Sequence, residues 1–241
     1  MAITRIEFAL TWACTGRCKH CSLGEIENTR EHIEYARLAG MLTRVTSKHP
    51  IKSVMCFGGE PLLHPEEVCA IFAEAKAAGI PKRQLITNGF FSNDPEKIIS
   101  VADRLNTCAT EILLSVDAFH QETIPLEPVQ VFANRAKHLT LHPAWLESGT
   151  AQNPWNLRTR EVLAQFPGLP VSRGNVVFPR GNALKYLREY FPEELPHRSP
   201  YDHVPGERVT CLFVCPNGDV QAGEAVGNAY RDDILELLTR L

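Results

Sequence analysis

Two hydrophobic periodicities alternate along most of the chain, and this alternation limits the fold more than any other feature. Apolar residues at every second position indicate a first strand from Ile6 to Trp12. Apolar residues then recur every three or four positions from Leu38 to Val45, which indicates a helix. Strict alternation of strand and helix predicts a parallel sheet, because each helix returns the chain to start the next strand in the same direction.

Six such units can be counted before the pattern changes. The predicted strands cover residues 6–12, 53–57, 84–87, 111–116, 139–141 and 174–178. Six units fall short of the eight that close a full barrel, so we expect an α/β fold built as a partial (β/α)6 barrel of the TIM type.

The last part of the chain departs from the alternation. The segment VTCLFVCPNGDVQAG indicates a hairpin that turns at Asn217-Gly218, and apolar residues from Ile234 to Leu241 indicate a terminal helix. We therefore expect a partial-barrel domain over residues 1–200 and a small C-terminal hairpin-plus-helix cap over residues 201–241.

Composition and charge exclude some classes of protein. The 25 Lys and Arg residues are scattered and the net charge is −3, which argues against a nucleic-acid partner. The first residues lack the features of a signal peptide, and no stretch is apolar enough to cross a bilayer. We therefore expect a cytoplasmic protein that does not bind a membrane.

Three of the eight cysteines lie in the segment CTGRCKHC, directly after the first predicted strand. In a reducing cytoplasm, clustered cysteines are more often metal ligands or catalytic groups than disulfides. Cys14, Cys18 and Cys21 can hold three irons of a [4Fe–4S] cluster and leave the fourth iron open to an outside ligand. The alternative is a structural zinc ion, with His20 or His32 as its fourth ligand.

The other distinctive short motifs also follow predicted strands. GGEP follows the second strand, ITNG closes the third, SVDAFH follows the fourth and FPRGN follows the sixth. Functional groups of parallel α/β folds gather at the carboxyl ends of the strands. We therefore expect these motifs to surround one mouth together with the three cysteines.

The cysteine motif after strand one and the GGEP turn after strand two together resemble the radical S-adenosylmethionine (radical SAM) enzymes. The resemblance covers roughly the first 180 residues. It implies a [4Fe–4S] cluster on Cys14, Cys18 and Cys21, with the amino and carboxylate groups of S-adenosylmethionine chelating the open iron. Electron transfer from the cluster would then cleave this cofactor to methionine and a 5′-deoxyadenosyl radical, which abstracts hydrogen from a substrate.

The resemblance implies roles for the GGEP turn and the third strand end. Gly58 and Gly59 would let the backbone approach the methionyl end of the cofactor, and Glu60 would accept a hydrogen bond from its ammonium group. Asn88 would help to hold the polar edge of the cofactor. A turn-forming Asn-Gly pair explains Asn88 almost equally well.

Later strands would complete the cofactor site. Ser115 and Asp117 share one face of the fourth strand, and we expect one or both to contact the ribose or the methionyl carboxylate region. The alternative for Asp117 is a capping role. Val177 lies in a segment that resembles the family's adenine-binding segment, which acts mainly through its backbone. His20 stands where the family usually has an aromatic residue.

Other residues near strand ends lack an assigned role. His120, Glu122 and His142 are candidates for substrate binding or proton transfer, and the sequence identifies no catalytic residue. The tail resembles a remnant of the SPASM domain that caps many peptide-modifying members of the family. Cys211 and Cys215 alone are too few for a second [4Fe–4S] cluster.

The resemblance predicts an oxidoreductase that abstracts hydrogen from a peptide or a small-molecule substrate. An electron donor such as flavodoxin or ferredoxin would reduce the cluster. Because no leader-binding module precedes strand one, we expect a peptide either to bind through the C-terminal cap and the mouth or to be presented by a separate protein. One alternative within the family is an activase that installs a glycyl radical on a partner enzyme. An alternative of another class is a non-catalytic zinc or iron–sulfur binding module.

Overall fold

A computed structural model describes residues 3–24, 30–146, 153–195 and 209–239. Its strands are β1 (Arg5–Ala9), β2 (Ser53–Phe57), β3 (Lys82–Thr87), β4 (Glu111–Leu114), β5 (Leu139–Leu141), β6 (Ala144–Trp145), β7 (Asn175–Val176), β8 (Cys211–Val214), β9 (Asp219–Ala222) and β10 (Glu224–Asn228). Its α-helices are α1 (Met41–Thr46), α2 (Pro65–Ala77), α3 (Pro95–Cys108), α4 (Leu126–Arg135), α5 (Pro154–Leu163), α6 (Asn182–Tyr186) and α7 (Ile234–Leu238). Short 3-10 turns cover Tyr35–Leu38, Pro61–Leu63 and Arg188–Tyr190.

The parallel sheet forms in the predicted order. β1 to β5 pair side by side, each parallel to the next. β6 continues the path of β5 after His142 and Pro143, and it pairs in parallel with β7. β7 therefore occupies the sixth position, and the predicted α/β fold with the strand order of a partial TIM-type barrel is confirmed.

Each helix buries one face against the sheet. Val68, Ile71 and Phe72 of α2 are fully buried, and the first four residues of β2 are also buried, since this strand has neighbours on both sides. On α3, Ile98 is buried, while Ile99 is 39% exposed because it lies about 100° around the helix from Ile98.

The C-terminal hairpin and helix form as predicted, but the hairpin joins the main sheet. β8 pairs in parallel with β1, and β9 and β10 follow in antiparallel order. The tail therefore extends the sheet from the β1 side, and its residues Leu212, Val214 and Leu237 belong to the same hydrophobic core as the barrel. The division of the chain at residue 200 stays a prediction, since residues 196–208 lie outside the described residues.

The first strand is shorter than the sequence predicts. It ends at Ala9 rather than Trp12, and Thr11 instead forms an isolated bridge with His32.

None of the described helices is both long enough and apolar enough to span a membrane.

Candidate metal and cofactor site

The cluster loop, residues Cys14–Cys21, follows β1 at the carboxyl end of the parallel sheet. Its three cysteines are free thiols; Cys18 is buried, while Cys14 and Cys21 are partly exposed. The Cys14 sulfur accepts a hydrogen bond from the Gly16 backbone N–H at 3.4 Å. Burial, with a smaller contribution from Glu60, raises the pKa of Cys14 to about 11. The free protein therefore holds this sulfur as a thiol.

The GGEP turn after β2 packs directly on the chain that leads into the cluster loop. The Gly59 N–H donates to the Thr11 carbonyl and the Glu60 N–H donates to the Ala13 carbonyl, both at 2.8 Å. A Cβ atom at Gly59 would lie 2.1 Å from the Ala13 carbonyl oxygen, and one at Gly58, whose φ is +134°, would lie 2.5 Å from that of Thr11. Backbone packing thus requires both glycines, and their approach to a cofactor stays a prediction.

Glu60 links the ends of β2 and β3. Its fully buried carboxylate accepts hydrogen bonds from the Leu62 N–H at 2.8 Å, the Thr87 hydroxyl at 2.6 Å and the Asn88 N–H at 2.8 Å. Burial raises the pKa of Glu60 to about 7, although these donors act in the opposite direction. A carboxylate can accept about four hydrogen bonds, so one position is left for a further donor.

Asn88 contacts the cluster loop from the end of β3. Its Nδ2 group lies 3.6 Å from the Cys14 sulfur and 3.2 Å from the Thr15 hydroxyl oxygen, as a donor to both. Its Oδ1 accepts from the Phe90 N–H at 2.8 Å, which closes the turn. Asn88 is therefore both a turn former and a support for the loop, and its contact with a cofactor stays a prediction.

Asp117 is a buried acceptor for four protein donors. These are the backbone N–H groups of Phe119, His120 and Ala144 and the Nδ1 of His120, all at 2.8–2.9 Å. Burial opposes ionisation, but His120 and these donors hold the pKa of Asp117 below its usual range. The geometry matches the capping interpretation, and the predicted cofactor contact stays a prediction.

Ser115 and Val177, the remaining candidates for cofactor binding, differ in exposure. Ser115 is partly exposed, and its N–H donates to the Thr87 carbonyl at 2.8 Å. The Val177 side chain is buried in a small cluster with Ala183, while its N–H donates to the Trp145 carbonyl at 2.8 Å. Their roles toward a cofactor stay predictions.

The turn after β4 packs against the middle of the cluster loop. The His20 ring lies 4.9 Å from the Phe119 ring and 4.7 Å from the His120 ring, centroid to centroid. Burial and then the neighbouring His120 lower the pKa of His20 to about 4. One ligand atom from each of Cys18, His20 and His120 lies within 4.8 Å of the other two. His20 is thus a neutral ring packed against Phe119 and His120.

Two polar contacts strengthen this packing. The Arg17 N–H donates to the Thr123 hydroxyl at 3.0 Å, and the Lys19 ammonium pairs with the Glu122 carboxylate at 3.0 Å. Phe119 in turn stacks on Trp155 at 4.5 Å. Glu122, a candidate for proton transfer, is therefore half of an ion pair that anchors the loop.

The segment after β7 holds the other side of the cluster loop. Asn182 donates from Nδ2 to the Cys18 carbonyl at 3.2 Å and from its backbone to the Cys21 carbonyl at 2.9 Å. A Cβ atom at Gly181, whose φ is +57°, would lie 2.5 Å from the Ser22 carbonyl oxygen. Sequence reasoning missed these two residues, although the position of FPRGN at a strand end was a signal for them.

Two other candidate histidines contact residues outside the cluster loop. The His32 ring stacks on His64 with centroids 3.9 Å apart and planes 5° apart. His142 contacts the Ser172 hydroxyl through Nδ1 at 2.8 Å. His32, which was considered as a zinc ligand, is thus stacked on another ring, and the role of His142 in substrate binding or proton transfer stays a prediction.

The two cysteines of the tail lie at opposite ends of β8. Cys211 begins the strand and Cys215 follows its last residue. Four residues of extended chain separate their backbones by about 13 Å. This separation is too long for both sulfurs to bind one metal ion, and the absence of a second cluster in the tail stays a prediction.

A family model described as the Radical SAM superfamily matches residues 9–139. The matched region covers more than half of the chain and includes the cluster loop, the GGEP turn and β4. The chain belongs to the radical SAM superfamily. The family expected from the two motifs is thereby confirmed. No curated protein sequence matches the chain.

Solved radical SAM structures share the fold. SuiB of Streptococcus suis, bound to precursor peptide SuiA, superposes with a TM-score of 0.63 at 14% identity over 98% of this chain and 64% of SuiB. The protein anSMEcpe with bound AdoMet gives 0.62 at 14% identity over 98% of this chain and 80% of its own. BtrN in complex with AdoMet and 2-DOIA gives 0.50 at 12% identity over 98% and 82%. The chain thus spans less than two thirds of SuiB.

Proposed function

We propose that this radical SAM protein is an enzyme that binds a [4Fe–4S] cluster through Cys14, Cys18 and Cys21, cleaves S-adenosylmethionine reductively and abstracts hydrogen from a peptide. The observation that carries the proposal is the cluster loop. It presents three free thiols at the carboxyl end of the sheet. Contacts from the ends of β2 and β3, from the turn after β4 and from the segment after β7 hold the loop in place.

The donor set fits an iron–sulfur cluster. Thiolates are the usual ligands of such clusters, and N–H donors to the sulfur are one way a protein adjusts their potential. Gly16 and Asn88 supply such donors to Cys14. Binding would release the thiol protons, because only the thiolate is a ligand. When bound, the cluster and S-adenosylmethionine supply the electron and the 5′-deoxyadenosyl radical.

In this proposal, the residues of the chain bind and orient the cluster and S-adenosylmethionine. Glu60 keeps one acceptor position for the ammonium group of the cofactor, while its other three hydrogen bonds fix the carboxylate. Ser115 and the backbone at Val177 face the ribose and adenine. Asp117 acts by shaping the turn that supports the loop. Cys18 is buried close to His20, whose ring packs against Phe119, and this packing keeps water from that sulfur.

A peptide is the preferred substrate class. SuiB is bound to precursor peptide SuiA, and anSMEcpe with bound AdoMet and Cp18Cys peptide gives a TM-score of 0.60. BtrN, in complex with 2-DOIA, superposes less closely at 0.50. A small-molecule substrate is the second candidate. A flavodoxin or ferredoxin as electron donor and a separate peptide-presenting protein belong to the same proposal, as does a cytoplasmic location.

The test is anaerobic reconstitution followed by incubation with S-adenosylmethionine, a reductant and candidate peptides carrying deuterium. We expect about four irons per chain, 5′-deoxyadenosine as a product, and deuterium transferred from a peptide carbon into it. Replacing Cys14, Cys18 and Cys21 by Ala should remove iron and cleavage. The matched control, Cys211→Ala with Cys215→Ala, should change neither.

Each other outcome contradicts a defined part of the proposal. Four irons without cofactor cleavage would support the non-catalytic binding module. Deuterium arriving only from a free metabolite would favour the small-molecule class. A stable glycyl radical on a large partner enzyme would favour the activase.

A further inference from the structure

Cys18, His20 and His120 form a compact group of metal-binding side chains. Their ligand atoms lie within 4.8 Å of one another, and no other described trio of His, Cys, Asp or Glu does so. The sulfur and nitrogen ligands of a tetrahedral zinc ion lie about 3.4–3.6 Å apart. Side-chain movements of roughly an ångström would therefore bring all three onto one ion.

His120 is oriented as metal-binding histidines usually are. Its Nδ1 lies 2.8 Å from the Asp117 carboxylate, which makes Nδ1 the donor and leaves the lone pair on Nε2. Asp117 is itself held by three backbone N–H groups. A buried carboxylate thus fixes both the tautomer and the direction of the ring.

His20 supplies an independent observation. Its Nδ1 atom is buried and has no hydrogen-bond partner in the described structure. Buried polar atoms nearly always have a partner, and an ion is one of the standard explanations when none is seen. The ring is held beside Phe119 and His120, and one of its nitrogens lies within 4.8 Å of the ligand atoms of Cys18 and His120.

We propose that the cluster-free protein binds one divalent transition-metal ion, Zn²⁺ or Fe²⁺, through Cys18, His20 and His120, with water as the fourth ligand. Cys18 loses its proton to solvent on binding, and no electron is transferred. Cys14 and Cys21 take no part, which separates this site from a zinc site built on three cysteines. The ion and a [4Fe–4S] cluster exclude each other, because both need the Cys18 sulfur.

The test uses Co²⁺ as an optical probe on the full-length, cluster-free protein without oxygen. We expect one Co²⁺ per chain, with a sulfur-to-cobalt charge-transfer band and intense tetrahedral d–d bands. Zn²⁺ and Fe²⁺ should displace the probe. His20→Phe keeps the ring packing and His120→Asn keeps an N–H donor toward Asp117, yet each should weaken Co²⁺ binding by more than about 100-fold.

Control variants decide between this site and its rivals. Cys14→Ser, Cys21→Ser and His142→Asn should leave the Co²⁺ spectrum and affinity unchanged. Loss of binding in Cys14→Ser with retention in His20→Phe would mean a three-cysteine site, and an absence of binding in the unaltered chain would also overturn the proposal. Thermal unfolding shows whether each variant is folded. If His120→Asn does not fold, the Co²⁺ affinity of His20→Phe alone decides whether the proposed site exists. The Co²⁺ result needs neither cluster nor cofactor, so it stands even if the proposed enzyme activity fails.

Discussion

Because Gly59 has no side chain, the GGEP turn can pack closely against the chain that leads into the cluster loop, although the two motifs lie far apart in the sequence. Its Cα faces the Ala13 carbonyl at a distance that leaves no space for a methyl group. Ala13 directly precedes the first cysteine of the cluster loop. The position of a Gly59 side chain is thus taken by the backbone that leads into the cluster loop, while the approach of Gly59 to a cofactor stays a prediction. A substitution at Gly59 should therefore affect the cluster loop before it affects any cofactor.

The first prediction is that Gly59→Ala lowers the free energy of unfolding by at least about 3 kcal/mol, the upper range for overpacking in a rigid environment. The reason is the 2.1 Å separation between the new Cβ and the Ala13 carbonyl oxygen. Iron content after reconstitution should fall as well. Urea unfolding of the cluster-free protein and an iron assay measure the two effects.

Gly79→Ala is the matched control. No atom lies within 4 Å of a Cβ at Gly79, so only its positive φ of 76° is strained. That strain costs roughly 1–2 kcal/mol. Equal stability losses in the two variants, with full iron content in Gly59→Ala, would show that the turn after β2 relaxes easily.

At the scale of elements, the cluster loop is held by contacts with the segments that follow four other strands. The β2 turn holds its entry, Asn88 holds Cys14, the β4 turn holds its middle and Asn182 holds its exit. These protein contacts restrain the entry, the middle and the exit of the loop. Each of them reduces the conformational entropy that remains to be lost when the three cysteines bind a cluster.

The second prediction concerns the clamp at the loop exit. Asn182→Asp replaces the Nδ2 donor to the Cys18 carbonyl with an acceptor, so a buried hydrogen bond becomes a repulsion. We expect a loss of about 1–3 kcal/mol in stability and a several-fold shorter lifetime of the reconstituted cluster under a chelator. Asn175→Asp, at an exposed position of β7, should leave that lifetime unchanged. An unaltered cluster lifetime in Asn182→Asp would mean that the hydrogen bond from the Asn182 backbone N–H to the Cys21 carbonyl is enough to hold the loop exit.

The features of the fold and of the site that could be predicted are those that depend on local sequence patterns. Periodicity identified the alternation of strands and helices and the order of the parallel strands, because each helix buries one side. Spacing identified the three cysteines. Asn182 was missed because its two partners lie more than 160 residues away, and no local signal encodes which carbonyls a Gly-Asn pair will meet. The pairing of β8 with β1 was missed for the same reason.

At the scale of the whole molecule, the tail and the barrel share one sheet and one core. β8 lies between β1 and β9, with Leu212 and Val214 fully buried. Asp233 of the tail also pairs with Arg44 of α1 at 2.6 Å. A removable cap would unfold separately from the barrel. A shared core instead predicts a single cooperative unit.

The third prediction tests this cooperativity through tryptophan fluorescence. All three tryptophans, Trp12, Trp145 and Trp155, precede the tail, so their emission reports the barrel alone. Leu212→Ala removes a fully buried side chain from β8, which should cost about 2–5 kcal/mol. We expect the fluorescence and far-ultraviolet circular dichroism transitions of the cluster-free protein to shift together to lower urea concentration. Gln221→Ala, at an exposed position of β9, should shift neither. If circular dichroism were lost at a lower urea concentration while the fluorescence transition did not shift, the tail would unfold alone. Its removal would then be a direct test of whether the tail binds the substrate.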